Sequence, residues 1–488
     1  MASKSTWLFT VEQEKTHRKI EPGEEGESMS RFIRISLVIV GLTLLAAVII
    51  GVVWLAVTVR QMFPSTAGAL TVSGLQDEVH IYRDEWGIPH IYAQNEHDLF
   101  FAQGYVHAQD RFWQMEFWRH IGQGRISEIA GEATLDSDKF IRTMGWNRMG
   151  QQTLTYMEEE SPEYTAILEA YSAGVNSYIE ANRDTLSLNY TILGLVNEPW
   201  QIEPWTPLNT LTWGAVMAHD LGGNWEDELR RARLINELGE ASVASLLPSY
   251  PYDQRPVIVP TETMDNELPE AEASINPVAA VDWSRVNTDI IGRVPENGFA
   301  LGSSGAIGSN SWAVSGDHTT TGMPLLANDP HLGIQMPSIW YEVGLHAPGW
   351  NVAGFSFAGV PGVIIGHNDH IAWGFTNAGP DVQDLYIEKI NPSNPLQYEF
   401  MGEWEDVEVI EEIIKVNGGE DVVLNVRLTR HGPLINEVVD GQSDVLAMKW
   451  TAQEPMRIFL SIISLNQAED YEEFREALQF FDVPAQNV

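Results

Sequence analysis

Residues 37–57 contain no charged side chain and, apart from Thr43, only apolar residues and glycine. That length matches the roughly 20 residues an α-helix needs to cross a bilayer. A backbone in lipid must satisfy its own hydrogen bonds, so such a stretch folds as a helix. Extended to residues 32–59, the run adds only Arg34, Ser36 and Thr58 as polar positions. A secretory leader has an apolar region of roughly 7–15 residues, and the Ala67-Gly68-Ala69 triplet that would suit cleavage lies well beyond the run. The segment therefore reads as an uncleaved transmembrane anchor. Arg31 and Arg34 precede it, with further Lys and Arg in the first twenty residues, and Arg60 follows. This bias predicts a cytoplasmic tail over residues 1–31 and an extracytoplasmic body, periplasmic or extracellular. Met29 also opens an anchor well, so residues 1–28 are either a charged tail or an upstream extension.

What remains is long enough for one large body or several average domains. Of the 488 residues 44% are apolar and 17 are Trp, ample for a core. Cysteine is absent, which excludes a disulfide framework and any Cys-ligated zinc or iron–sulfur site. Against 28 basic residues stand 68 acidic ones, a formal charge of −40 that repels phosphate and argues against nucleic acid as a partner. Dense carboxylates suit a saline medium that screens them, and plain solubility explains them equally.

Val79, Ile81, Ile88 and Ile91 around Asp84-Glu85-Trp86-Gly87 predict a hairpin within residues 75–92. Apolar residues recurring at three and four predict helices over 96–129 and 162–182, and another over 211–238 that breaks at Gly222-Gly223-Asn224 and resumes at Asp227. Residues 261–308 are dominated by Pro, Glu, Ala, Asn and Ser without a period, a linker by composition. Beyond it, short strands are expected at 311–315, 352–357, 363–365 and 422–428, divided by Gly and Pro turns. The class is α+β, helical upstream of the linker and strand-rich downstream.

The linker closes on LGSSGAIGSNSWAVSG, where small residues stop abruptly at Ser309-Asn310-Ser311-Trp312. Alone, that run reads as a Gly/Ser-rich surface loop. Five further blocks change the reading: Tyr82-Arg83-Asp84-Glu85-Trp86-Gly87-Ile88-Pro89-His90-Ile91, Ala102-Gln103-Gly104-Tyr105-Val106-His107-Ala108-Gln109-Asp110-Arg111, Asn328-Asp329-Pro330-His331-Leu332-Gly333, Tyr341-Glu342-Val343-Gly344-Leu345-His346, and the stretch from Pro361-Gly362 to Thr376-Asn377. In order and spacing these resemble the penicillin acylase family of N-terminal nucleophile hydrolases, over roughly residues 75–488. The resemblance implies a four-layer αββα sandwich behind the transmembrane helix, with an α-chain-like region at 70–260, an excised spacer at 261–308 and a β-chain-like region at 309–488. It also implies that α and β chains come from one precursor by autocatalytic cleavage between Gly308 and Ser309.

Cleavage there explains why a serine must reach a chain end. Its hydroxyl needs a neighbouring base, and an α-amino group has a pKa of about 7.7–8.0, against about 10.4 for lysine. One residue then supplies nucleophile and base together. Glycine before it tolerates the backbone that an internal attack requires. By family matching the Asn377 N–H is one oxyanion donor. A second, an asparagine side chain, is expected beyond Val488, so the β-chain-like region reads as truncated and residues 1–488 alone are expected to be inactive. His331 stands where relatives within the family carry glutamine or histidine and is expected to orient the amine or shuttle protons; the competing reading is a hydrogen-bonded loop histidine.

Met217, Leu221, Leu332, Ile365 and Phe375 match acyl-pocket positions, and all are apolar, which points to an aromatic or aliphatic acyl group, although each also suits ordinary core. One calcium ion is implied, with Glu226, Asp381, Gln383 and Asp384 as its oxygen ligands; a solvated acidic surface is the alternative. His367 and His370 lack a third ligand in view and do not suggest zinc. The expectation is thus a membrane-anchored amidohydrolase. It would cleave linear amides, such as acyl-homoserine lactones, N-acyl amino compounds or β-lactam side chains, through an acyl-enzyme on Ser309. A non-catalytic anchored binding protein on the same fold is the alternative.

Overall fold

The computed structural model describes residues 24–196, 200–248, 308–438 and 445–488. The expected tail before residue 24 and the spacer before Gly308 lie outside the described residues. The chain divides into two units, Met1–Phe63 and Pro64–Val488.

The first unit holds one helix, Glu24–Gln61, longer at both ends than the apolar run that predicted it. Its stretch Arg31–Gln61 is long and apolar enough to cross a membrane.

The second unit opens with the expected hairpin, His80–Arg83 against Pro89–Tyr92. Asp84 Oδ1 closes the turn by accepting the Trp86 and Ile88 N–H groups at 2.8 and 2.9 Å. Helices follow at Glu96–Gln123, Leu135–Met144, Trp146–Glu160, Pro162–Asn182, Pro207–Gly222 and Trp225–Leu238. Their ends follow local chemistry: Asn95 accepts the Asp98 N–H at the start of the first, and Gly124 closes it in the left-handed region at φ 61°. The break foreseen at residues 222–224 is real, with the Gly223 N–H ending one helix on His219 O.

Helices Glu96–Gln123 and Pro162–Asn182 cross on paired glycines. A Cβ on Gly104 would collide with the Tyr171 carbonyl oxygen, and one on Gly174 with that of Phe101. This bundle covers a six-stranded sheet ordered His80–Arg83, Pro89–Tyr92, Trp340–Ala347, Trp350–Phe357, Ile365–His367 and Ala372–Trp373. Pro89–Tyr92 pairs in parallel with Trp340–Ala347, and the other neighbours are antiparallel. One core, including Phe100, Met115, Trp118, Tyr171, Trp213, Leu345 and Trp373, joins helices and sheet.

The α+β class is what the chain adopts. Two strand expectations shift. Residues 363–365 enter their strand only at Ile365, because the Val363 N–H donates to Asn466 Oδ1 (2.7 Å) and Gln103 holds both the N–H and C=O of Gly362. The strand expected at 311–315 is Ser309–Val314, and Ser315 instead accepts the Asp317 N–H in the following turn.

Because backbone rather than a movable side chain opposes Gly174, Gly174→Ala should cost about 3 kcal/mol, the upper end of overpacking penalties. Glu169→Ala, on the exposed side of the same helix, should change stability by less than about 0.5 kcal/mol. Urea unfolding followed by tryptophan fluorescence compares the two.

Candidate active site

Ser309 begins strand Ser309–Val314, which pairs antiparallel with Leu325–Pro330, placing Ser309 opposite Pro330 and Ser311 opposite Asn328. The ladder extends one rung outward: the His331 N–H donates to Gly308 O at 2.9 Å. The carbonyl of the Gly308–Ser309 bond is therefore held by a backbone donor.

Asn328 ties this hairpin to the segment before Asn377. Its Oδ1 accepts the Phe375 N–H at 3.1 Å, and its Nδ2 donates to Phe375 O at 2.9 Å and Asn310 O at 3.1 Å. Gly374 permits the approach, since a Cβ there would sit 2.7 Å from the Asn328 side chain. Thr376–Asn377 pairs with Gln486–Asn487, and the Ala378 N–H reaches Ala485 O. Antiparallel alternation then sends the amides of residues 376 and 378 to that partner and those of 375 and 377 to the opposite edge. The Asn377 N–H thus shares the edge on which Asn328 holds Phe375. The Asn377 side chain donates to Leu221 O at 2.6 Å and accepts from Gln486 Nε2 at 2.9 Å, linking the end of helix Pro207–Gly222 to the last strand.

Ser309 and Asn377 line a cavity of about 150 Å³ together with Met217, Leu221, Leu332, Ile365 and Phe375. Sequence reasoning missed its far wall, which comes from Met456, Ile458, Phe459, Ile462 and Phe481. Phe481 stacks on Phe375 with ring centroids 5.2 Å apart. The one available signal was helix Ile458–Gln467, apolar on most of its faces. His331 is not part of the wall; its Nε2 pairs with Asp329 Oδ2 at 2.8 Å on an exposed surface.

Among the residues matched to calcium, Glu226, Gln383 and Asp381 already have partners of their own. Glu226 takes Arg230 as a partner at 2.6 Å. Gln383 is buried and caps helix Trp225–Leu238, its Oε1 accepting the Asn224 and Trp225 N–H groups at 2.8 and 3.2 Å. Asp381 accepts from Asn224 Nδ2 at 3.0 Å. Burial and the nearby Asp381 push the Asp384 carboxyl up. Glu228, which sequence reasoning passed over, accepts the Leu385 N–H at 2.6 Å. Burial, together with Asp384 and Asp381, pushes it up to about 7. Among the described residues no three histidines or carboxylates converge as a metal-holding group.

Beside Leu221 of the cavity wall, burial pushes the half-buried Asp220 up to about 6. Its neighbour His219 is pushed down to about 4 by burial and supplies no counter-charge at neutral pH.

The penicillin amidase family model matches residues 78–488. An acyl-homoserine lactone acylase, QuiP, of Pseudomonas aeruginosa is 32% identical over 394 residues, 80% of this chain and 44% of that protein. The penicillin acylase 2 proenzyme of Pseudomonas sp. strain SE83 is 32% identical over 380 residues, 77% of this chain and 46% of that protein. The chain thus spans less than half the length of these curated relatives. A solved thermostable penicillin G acylase from Alcaligenes faecalis aligns at 30% identity over 34% of this chain and 30% of its own, with a TM-score of 0.32.

The Asp220 carboxyl gives a signed pH prediction. Its folded pKa of about 6 lies above the ordinary carboxyl value, so the fold favours the protonated form. That stabilisation is complete below about pH 4 and is lost as pH rises through about 6. Asp220→Asn should therefore raise stability at pH 8 by on the order of 1 kcal/mol, after discounting for partial exposure, and by much less at pH 4. Chemical unfolding at the two pH values measures the difference.

Proposed function

This chain belongs to the penicillin amidase family, and from that premise we propose that its body is an amide hydrolase using Ser309 as an N-terminal nucleophile. The observation that carries the reading is the shared lining of one apolar cavity by Ser309 and Asn377. In the proposed maturation Ser309 Oγ attacks the Gly308 carbonyl, whose oxygen accepts the His331 N–H. The Gly308–Ser309 amide bond breaks as the Gly308 acyl group passes to Oγ, which frees the Ser309 amine, and water then hydrolyses that ester to release the Gly308 carboxylate and restore the Ser309 hydroxyl. That amine then takes the hydroxyl proton as Oγ attacks a substrate amide, the Asn377 N–H faces the developing oxyanion, and the amine component leaves with the proton. Water releases the acyl group by the same route. The geometry supports a main-chain contribution from His331, since its imidazole is engaged by Asp329.

The cavity suggests the acyl group. About 150 Å³ of apolar space is the size of an engineered cavity that holds benzene, which favours a phenyl ring or a short aliphatic tail. The amine side would be a homoserine lactone, an amino acid or a β-lactam nucleus. We further propose the four-layer αββα arrangement for the mature body, and helix Glu24–Gln61 as an anchor holding it outside the cytoplasm.

Calcium belongs to the same proposal. Asp381, Asp384 and Glu228 are hard oxygen donors; Asp384 and Asp381 help push Glu228 up and Asp381 helps push Asp384 up, and such donors, drawn together, would suit a divalent cation. Gln383 is already committed to capping a helix, so only its main-chain oxygen is available. Bound calcium would neutralise these carboxylates and brace Gln383–Glu388 against helix Trp225–Leu238, taking no part in hydrolysis. Adding a chelator should then lower the unfolding free energy and excess calcium should restore it, by about 2.7 kcal/mol at a hundred times the dissociation constant, as read by chemical unfolding.

Ser309→Ala tests the central claim. In the protein read through to its natural stop codon, it should leave one uncleaved polypeptide and lower hydrolysis of a phenylacetyl or hexanoyl anilide at least 10³-fold relative to the same protein without the substitution. Gel analysis with N-terminal sequencing reads the first effect and anilide release the second. Cleavage before residue 309 in the variant would remove Ser309 from the mechanism.

A further inference from the structure

The cavity at Ser309 has a neighbour of about 370 Å³, lined by Tyr156, Thr451, Glu454, Met456, Arg457 and Asp482 among others. Among the described residues Met456 alone lines both. Its main chain is pinned, the N–H donating to Thr153 Oγ1 at 3.0 Å, and it is only 2% exposed. Its Cε methyl lies 4.0 Å from where Gly214 would carry a Cβ. The residue common to the two spaces thus carries an unbranched thioether with three rotatable bonds, resting against a residue with no side chain.

The second space differs in chemistry from the first. The Arg457 N–H donates to both Asp482 oxygens at 3.1 and 2.8 Å, and Nε reaches Oδ2 at 3.4 Å. The two terminal guanidinium nitrogens make no hydrogen bond among the described residues. A planar fork with free donors is the side chain best suited to a carboxylate.

We propose that Met456 is a specificity-determining gate, and that its rotation lets acyl chains too long for the first cavity continue into the second and end with a carboxylate on Arg457. The ligand class is the long-chain ω-carboxyacyl amide. This rests on the reading of the first cavity as an acyl site.

The test is calorimetric binding of the acids that such amides would release, which requires no turnover. Phenylacetate reports on the first cavity, dodecanoate and dodecanedioate on the two together. Dodecanedioate should bind at least tenfold tighter than dodecanoate, and Arg457→Gln should erase that preference. Met456→Phe, a rigid plug, should weaken dodecanedioate relative to phenylacetate at least tenfold. Met456→Ala should strengthen it relative to phenylacetate, and Gly214→Val, which closes the partition from the other side, should act like the plug. Phenylacetate binding with a dodecanedioate ratio indifferent to Met456 and Gly214 would overturn the gate and leave the acyl site standing. Absence of binding by all three acids would overturn both.

Discussion

The side chain of Asn328 holds the candidate site together. It replaces a β-ladder between the nucleophile hairpin and the Phe375–Asn377 segment with hydrogen bonds to both backbone groups of Phe375 and a third to Asn310 O. A full strand pairing would have spent the 375 and 377 edge on main-chain partners. One amide side chain satisfies residue 375 and leaves the Asn377 N–H on that edge. The position of the proposed oxyanion donor therefore depends on a residue that does no chemistry, and on the missing side chain of Gly374 that lets it approach.

The same logic joins the regions on either side of the linker. Strand Pro89–Tyr92 pairs with Trp340–Ala347, Asn377 donates to Leu221 O, and Gln383 caps helix Trp225–Leu238. Residues 78–248 and 309–488 thus share a sheet, a helix cap and a core, with no disulfide available to a chain without cysteine. A break at Gly308–Ser309 would leave those bonds intact, since none of them crosses that peptide.

Much of this was legible in the sequence, and what was not has physical reasons. The helices over 162–182 and 211–238 emerged because a one-sided apolar period and a Gly-Gly-Asn break are local signals. The run at 363–365 misled because three apolar residues look alike in a strand and in a buried turn, and only the contacts of Gln103 and Asn466 distinguish them. The resemblance singled out Met217, Leu221, Leu332, Ile365 and Phe375, and these line the cavity with Ser309. The wall from Ile458–Gln467 stayed hidden because an apolar helix reads as core whichever space it faces. Local environment on one helix is likewise invisible to spacing: residues 226 and 228 lie on different helix faces, and Glu226 pairs with Arg230 while Glu228 is coupled to Asp384 and Asp381.

Charge and cavity are also connected. The proposed acyl site is walled almost entirely by hydrocarbon, yet carboxyls such as Asp220 and Glu228 lie in its supporting layers with raised pKa values. Burial costs stability at neutral pH, by desolvation alone for Asp220 and, for Glu228, with only Arg231 as a cation acting against its like-charged neighbours, and a chain with 68 acidic and 28 basic residues has few Lys or Arg to spare for them. Arginines instead concentrate where they bind main structural elements, as Arg125 does between Glu128 and Glu203 and as Arg142 and Arg148 do on Glu412. The strand-helix junction at Asp381–Glu388 is left with carboxylates facing one another. With Glu228 pushed up to about 7 there, the stability of the site's support is bound to pH as closely as to its packing.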